Sequence, residues 1–299
     1  MLFAIGLAIL MTTPSLASRG SWKEVGKTSI PLYYYQGVTH DPQGNRYFTG
    51  VWVGLYRTDQ ALNETARNDD VIPPEVHARE NYNHIGDLSY HDGKLYLPLE
   101  CYYPPVLGNT CKTGSIGVAD ADTLEFAYYV KLDPNEIEKV MWNEVSPNGK
   151  LMWTQQGEDL LAYAMRDITQ ENAAPDAEPI HHVRKLKGAV PPTGITGATF
   201  IGNRLFVAGQ EGVEQIWAID LATGRRKLQV ELDYIGESEG LDDDFDLNPK
   251  ADSLKGALHW MVQPYNEEGY PTNGVTNGTL YHFEPTHSAG APLPERGEL

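Results

Sequence analysis

The chain of 299 residues carries 41 acidic and 23 basic side chains, a formal net charge of −18. That balance excludes nucleic acid and anionic membrane surfaces as partners. With 29 Gly, 20 Pro and 17 Tyr, and no shift in composition along the chain, it reads as one turn-rich β domain large enough to bury a core.

Residues 1–17 have the form of a secretory signal peptide: the apolar run LFAIGLAILM, then small residues at Ser15-Leu16-Ala17. The run is too short to span a bilayer readily, and no other stretch is a candidate span. A secreted or periplasmic location is expected, and the mature domain is expected over residues 18–285.

A hairpin form then recurs. QGVTHDPQGNRYFTG (Gln36–Gly50), GDLSYHDGKLYLPLE (Gly86–Glu100), WNEVSPNGKLMWTQ (Trp142–Gln155) and TGATFIGNRLFVAGQ (Thr196–Gln210) each combine a short strand, a turn punctuated by Gly, and an apolar strand. The turn glycines Gly44, Gly93, Gly149 and Gly202 are 49, 56 and 53 residues apart. A longer-turned fifth copy runs from Glu239 to Gln263. A period of this size with further strands in each unit predicts an all-β propeller of four-stranded blades. In the second and fourth units, Ser115–Leu132 and Ile216–Leu232 supply third and fourth strands joined at an Asp and a turn. Asp159–Ile168 with Ile180–Leu186 does so in the third. The first unit continues with a third strand at VGLYRTDQAL and a charged, less regular stretch, Asn63–Asn81. The count is five blades, or six if residues 63–81 or 169–179 hold further strands. One short helix is expected at PNEIEKVMW (Pro134–Trp142), with Pro at its start and acids in its first turn. The last unit lacks a fourth strand, which Ser21–Ser29 can supply, closing the ring. Residues 286–299 are a Pro/Gly-rich tail expected to be flexible.

Cys101 and Cys111 flank a loop-like segment and, in an exported chain, predict a disulfide. Without nearby histidines they make a poor zinc site.

In a propeller the starts of the inner strands converge on the axis. Counting back equally from each turn glycine gives Val38, Asp87, Asn143 and Thr196, and the fifth copy contributes Glu239. Second strands return to the same face at Glu100, Gln155, Gln210 and Gln263. These side chains are expected to line one funnel. Oxygen ligands without sulfur suit Ca²⁺, with Asp87, Asn143, Thr196 and Glu239 as the ligand set. The arrangement of Asp87, Asn143 and Glu239, the last in Glu-Gly-Leu, resembles the calcium ring of the gluconolactonase and paraoxonase-like propellers. That resemblance implies a metal-dependent hydrolase of lactones or esters, in which the ion polarises the carbonyl. His84, three residues before Asp87, is then the candidate base, with Asp87 and Glu239 in the catalytic group. Glu144 alternates to the other side of its strand, and His40 falls near the inner turn.

Two other readings stand beside this one. Asp87, Glu239 and Glu100 could serve as paired carboxylates for glycoside cleavage, as in five-bladed furanosidases. Alternatively the loops bind a carbohydrate or a protein without catalysis, any metal being structural, with Tyr102 and Tyr103 candidates to plug the axis. A small-molecule or carbohydrate ligand and a monomeric state are expected. The acidic run Glu237–Pro249 fails the EF-hand pattern, because the sixth residue from Asp242 is Leu247, and reads as solvated acids. Asn63-Glu64-Thr65 and Asn277-Gly278-Thr279 are sequons. His181-His182 reads as a surface pair.

Overall fold

The computed structural model describes residues 21–286 apart from 51, 104–107, 112, 210–212, 233–235, 246, 248–253, 255 and 265–276. The proposed signal peptide, nearly all of the tail, Gln210 and Asp246 therefore lie outside the described residues, as do the side chains of Tyr102 and Tyr103.

The chain is a five-bladed β-propeller. Blade 1 comprises Gly37–His40, Arg46–Thr49, Leu55–Thr58 and Glu64–Asn68. Blade 2 has an inner strand in two pieces, His84–Ile85 and Ser89–His91, then Lys94–Glu100, Ser115–Asp120 and Phe126–Lys131. Blade 3 is Glu144–Val145, Leu151–Gln156, Asp159–Ala164 and Arg184–Leu186. Blade 4 is Gly197–Ile201, Arg204–Gly209, Glu214–Asp220 and Arg226–Leu232. Blade 5 is Gly236–Asp243, Leu258–Pro264 and Asn277–Pro285, and its outer strand is Trp22–Pro31 from the other end of the chain. Each inner strand touches those of the two adjacent blades, so the ring closes.

Strand alternation builds the core. Successive side chains on a strand face opposite sides of the sheet, so each blade feeds two neighbours. In blade 3, Leu160 and Ala162 pack toward blade 4 with Leu205 and Val207, while Leu161 and Tyr163 pack toward blade 2 with Ile116 and Val118. Five apolar clusters result, one in each gap between blades. Both faces of a blade are buried, which is why its strands read as continuous apolar runs.

Local polar chemistry sets the corners. Asp59, Asp120 and Asp220 each accept hydrogen bonds from backbone N–H groups two to four residues on, which builds the turns after third strands. Those bonds hold all three carboxyls below the usual range. Asp41 does the same for the first inner turn and also accepts from the Tyr47 hydroxyl at 3.0 Å. The helix expected at Pro134–Trp142 is not formed. Asp133 instead caps a turn through Asn135, and Met141–Asn143 is drawn into an axial bridge with Asp87. Among the described residues the one α-helix lies at Pro74–Glu80, where Pro73-Pro74 opens it and Glu75 sits in its first turn.

The centre of the ring is held by Asp87, which is fully buried. Its Oδ1 accepts from the Val38 N–H at 3.0 Å and its Oδ2 from the Ala198 N–H at 2.9 Å, and the Leu241 N–H also bonds the carboxylate. Its own backbone bonds the Met141 carbonyl and the Asn143 N–H. One residue of blade 2 thus contacts all four other blades. A β-bulge puts it there: His84 pairs Glu100 and Ile85 pairs Leu99, yet Ser89 pairs Tyr96, so residues 86–88 face only 97 and 98. Close approach requires glycine beside it, since a Cβ on Gly86 would run into the Met141 carbonyl and one on Gly240 would meet the Val38 nitrogen at 2.6 Å.

The closing seam between blades 5 and 1 is ionic on the side where inner strands end. Arg46, almost fully buried, reaches Asp242 at 3.2 Å and Asp244 at 2.5 Å. His40 contacts Asp242 at 2.7 Å and His259 contacts Asp244 at 2.8 Å. Asp244 is drawn down to about 2, since these partners outweigh its burial, whereas burial and the His259 and Arg46 charges hold His282 down at about 3. The acidic run is therefore not solvated: Asp242 and Asp243 are buried against a guanidinium, an imidazole and the Thr199 hydroxyl. Their strand faces the axis rather than water, a placement the pattern of acids alone does not reveal.

Two outcomes test this account. Asp87→Ala leaves three buried N–H groups without an acceptor and should cost at least about 3 kcal/mol, read as a lower urea midpoint at unchanged slope. A midpoint within error of wild type would refute it. Burial raises the Asp243 carboxyl to about 7. Its contribution to stability is therefore full below the ordinary carboxylate range and is lost as pH rises through about 7. The stability of Asp243→Asn relative to wild type should increase by about 2 kcal/mol between pH 5 and pH 8. A pH-independent difference between the two proteins would contradict it.

Candidate functional site

Asp87 and the backbones around it divide the axis into two compartments. The entry compartment, where inner strands begin, gathers acids. Glu100 ends the second strand of blade 2, and His84, its ladder partner, donates from Nδ1 to Glu100 Oε2 at 3.0 Å. Both side chains are about 10% exposed, and Glu100 Oε1 has no hydrogen-bond partner. Glu239 sits in a second bulge, where residues 239 and 240 face only Met261. It accepts from Gln36 Nε2 at 3.1 Å. Burial pushes its carboxyl well up, and the charges of Glu237, Asp87 and Glu100 push the same way. Glu237, opposite Gln263 in the ladder, accepts from the Tyr35 hydroxyl. Glu214, on the next blade, is raised to about 7 by burial, with Oε2 unpartnered.

The predicted residues divide accordingly. His84, Glu100 and Glu239 come together with Asp87 beneath them. Asn143 and Thr196 do not join them. Asn143 Oδ1 accepts from the Ser89 hydroxyl at 2.6 Å and its Nδ2 donates to the Tyr96 carbonyl, so its amide faces into blade 2. The Thr196 hydroxyl donates to Ser238 at 3.0 Å. Gln263 is buried with both amide atoms unpartnered, lying over Gly278. Gln155 lines a separate recess of about 100 Å³ with Glu138, Lys139 and Met141. The four proposed calcium ligands do not converge: the Asn143 amide is turned into blade 2 and the Thr196 hydroxyl toward Ser238, while Asp87 holds three backbone N–H groups and Glu239 takes Gln36, so the set does not fit a shared ion.

Equal counting from the turn glycines misplaced the fourth copy, and matching by sequence form misplaced the fifth. The residues at the level of Val38 are Ala198 and Leu241, because all three donate to Asp87. Turn lengths explain the slip: residues 41–45 separate His40 from Arg46, but only Gly202-Asn203 separate Ile201 from Arg204. The count also missed Gln36, Glu237 and Tyr35. The alternation of Glu237 with Glu239 was the available signal.

A cavity of about 360 Å³ opens one residue along the chain from His84, at Asn83, and none of His84, Glu100 and Glu239 is among its lining residues. Its walls are Trp52, Val53, Ile72, Pro74, His77 and Tyr82, with Asp70 and Asn83 as polar elements. Asn83 immediately precedes His84 and donates its N–H to the Glu100 carbonyl, while Ile85 donates to the Trp52 carbonyl. Trp52 is 52% exposed, a large apolar surface at the mouth. Cys101 and Cys111 form the expected disulfide next to Glu100, with an S–S distance of 2.03 Å. That bond fits an oxidising compartment.

The exit compartment holds Glu144, His40, Asp242, Asp243 and Thr199. Burial and the charges of Asp87, Asp243 and Asp242 push the Glu144 carboxyl well up, and His40 draws it down. Among the described residues, no helix is long and apolar enough to cross a membrane.

No family model and no curated protein matches the chain. Among solved structures, the glutaminyl cyclase of Myxococcus xanthus superposes with a TM-score of 0.51 at 10% identity, over 89% of this chain and 97% of that one. BamB of Moraxella catarrhalis gives 0.35 at 11% identity, over 85% and 61%. At such identity the likeness to the cyclase shows the fold alone, and this chain is similar to it in being a β-propeller.

Proposed function

We propose that the entry compartment is the active site of an exported hydrolase of small lactones or esters, working by general acid–base chemistry. The observation that carries this reading is the His84–Glu100 contact, with Glu239 close enough to feel the Glu100 charge and held well up by burial. A carboxylate on Nδ1 fixes the orientation and tautomer of an imidazole, as a general base requires. A carboxyl held neutral by burial and by neighbouring acids can donate a hydrogen bond where an oxyanion develops. The apolar walls around Trp52 suit a substrate with a hydrocarbon portion.

In this reading His84 takes a proton from water as the water oxygen attacks the carbonyl carbon. Glu239 donates a hydrogen bond to the carbonyl oxygen as it becomes an oxyanion. Collapse breaks the bond between the carbonyl carbon and the leaving oxygen, which receives the proton from His84. Glu100 keeps the ring aligned and balances its transient positive charge. Gln36 positions Glu239.

An unmet acceptor in the same compartment favours a second reading, a site that binds an amine or polyhydroxylated ligand without turnover. Glu100 Oε1 is buried without a donor, and a ligand N–H or O–H would satisfy it.

A panel of aliphatic lactones and aryl esters separates the two. Hydrolysis by wild type should fall by about 10²–10⁴ in kcat/KM in His84→Ala with the fold intact. Because Glu239 acts protonated, wild-type activity should decline as pH rises through its elevated pKa, and Glu239→Gln, which keeps a donor, should remove that alkaline decline. Full turnover in His84→Ala, or no turnover of any member by wild type, would sink the hydrolase reading.

A further inference from the structure

The pair His181-His182 is not an isolated surface feature. After its outer strand, blade 2 turns through Asp133–Glu136, and the segment leading to the outer strand of blade 3 runs alongside. Leu132 and Ile180 form a parallel bridge, the Ile180 N–H bonds the Lys131 carbonyl, and the Asp133 N–H bonds the Ile180 carbonyl. This places two imidazoles against two carboxylates from 45 residues earlier in the chain. His181 Nδ1 lies 3.0 Å from Asp133 Oδ2 and 3.1 Å from Glu136 Oε1. Ligand atoms of these three residues all fall within 4.8 Å of one another. On the other side of Glu136, Oε2 accepts the His182 N–H at 2.9 Å and lies 2.7 Å from His182 Nδ1.

We propose that Asp133, Glu136 and His181 form a binding site for a divalent transition ion, Zn²⁺ above all, that clamps blade 2 to blade 3. Three physical points carry this.

The first is proton supply. Nδ1 of His181 is nearly equidistant from two carboxylate oxygens, and one N–H can serve only one of them fully. A cation between the three atoms serves all at once. Ligand atoms around zinc, at bond lengths of about 2.0–2.2 Å, stand roughly 3.3 Å apart, close to the two distances that His181 Nδ1 already keeps to Asp133 and Glu136. The second is charge. Two carboxylates with one protonated imidazole keep a net negative charge, whereas two carboxylates and a neutral imidazole around a divalent ion are balanced. The third is support. Glu136 is fixed through its second oxygen by His182, and Asp133 through Oδ1 by the Asn135 N–H and side chain. Ligands restrained by outer partners in this way are the ones that bind metal without large ordering cost. A mixed imidazole and carboxylate set selects zinc-like ions over calcium, which takes oxygen alone. Exposure of His181 leaves remaining coordination positions to water, so the ion's role here is structural bridging.

The site is remote from the entry compartment in residue composition, so its test is independent of any activity. Chelator-treated full-length protein is titrated with ZnCl₂ by calorimetry, and its melting temperature is followed with and without the ion. One equivalent should bind and raise the melting temperature. Co²⁺ should give a visible absorption band from imidazole coordination. His181→Ala, whose side chain is largely exposed and whose removal leaves the fold intact, should weaken zinc binding at least about a hundredfold, more than the loss of an outer partner. Glu136→Gln should weaken it likewise. Wild type that binds no zinc, or His181→Ala that binds one equivalent with unchanged affinity, overturns the proposal.

Discussion

A carboxylate buried where five strands meet must be compensated locally, and in this propeller the compensation is what joins the blades. Asp87 receives N–H groups from blades 1, 4 and 5 through its side chain and exchanges backbone hydrogen bonds with blade 3. Five sheets make a narrow ring, so inner backbones approach until glycine is needed beside the axis. Burial alone would push the Asp87 carboxyl up. Three N–H donors oppose the shift, each being best met by the ionised form, but burial outweighs them and holds the carboxyl well above the ordinary range.

The same residue links the two ends of the axis. Its charge is among the causes that raise Glu239 on the entry side and Glu144 on the exit side. The exit side answers with a guanidinium and two imidazoles: Arg46, His40 and His259 meet Asp242 and Asp244. On the entry side the contacts to Glu100, Glu237 and Glu239 come from His84, Tyr35 and Gln36, an imidazole, a phenol and an amide. The two compartments differ in this way although both are lined with acids. The exit cluster is a folded-state ion network that seals the closing seam. Raised carboxyls occur at both ends, Glu239 on the entry side and Glu144 and Asp243 on the exit side, but on the entry side Glu100 Oε1 is left without a donor.

What the sequence made legible follows the same division. Hairpin punctuation and apolar runs are local, and they identified five blades, the closing strand from the N-terminal side and the disulfide. The Asp-Gly turn at Asp92-Gly93, both with positive φ, is such a local signal. Register around the axis is not local. It depends on two bulges, at 86–88 and 239–240, and on turns of unequal length, and none of these changes the hydrophobic pattern. Hence Thr196 stood in for Ala198, and Asn143 was assigned to the axis although its amide serves Ser89 and Tyr96. The short helix was misplaced for a related reason. Residues 134–142 have helical composition, but the Asp87 bridge claims Met141–Asn143 for the axis, and tertiary pairing outweighs a weak propensity.

The identity of the axial residue then follows from counting lone pairs. An asparagine at position 87 would present one acceptor oxygen and an NH₂ group, so at least one of three converging N–H groups would face a donor. A threonine or serine would offer one oxygen too short to reach three strands. Glutamate would need more room than a ring closed by glycine leaves. Aspartate alone supplies two acceptor oxygens on a short stem, and it brings a charge. That charge is a by-product of the acceptor geometry, yet it raises the carboxyls on either side of it. One side chain therefore both closes the five-bladed ring and adds to the upward shift of the acids on either side of it.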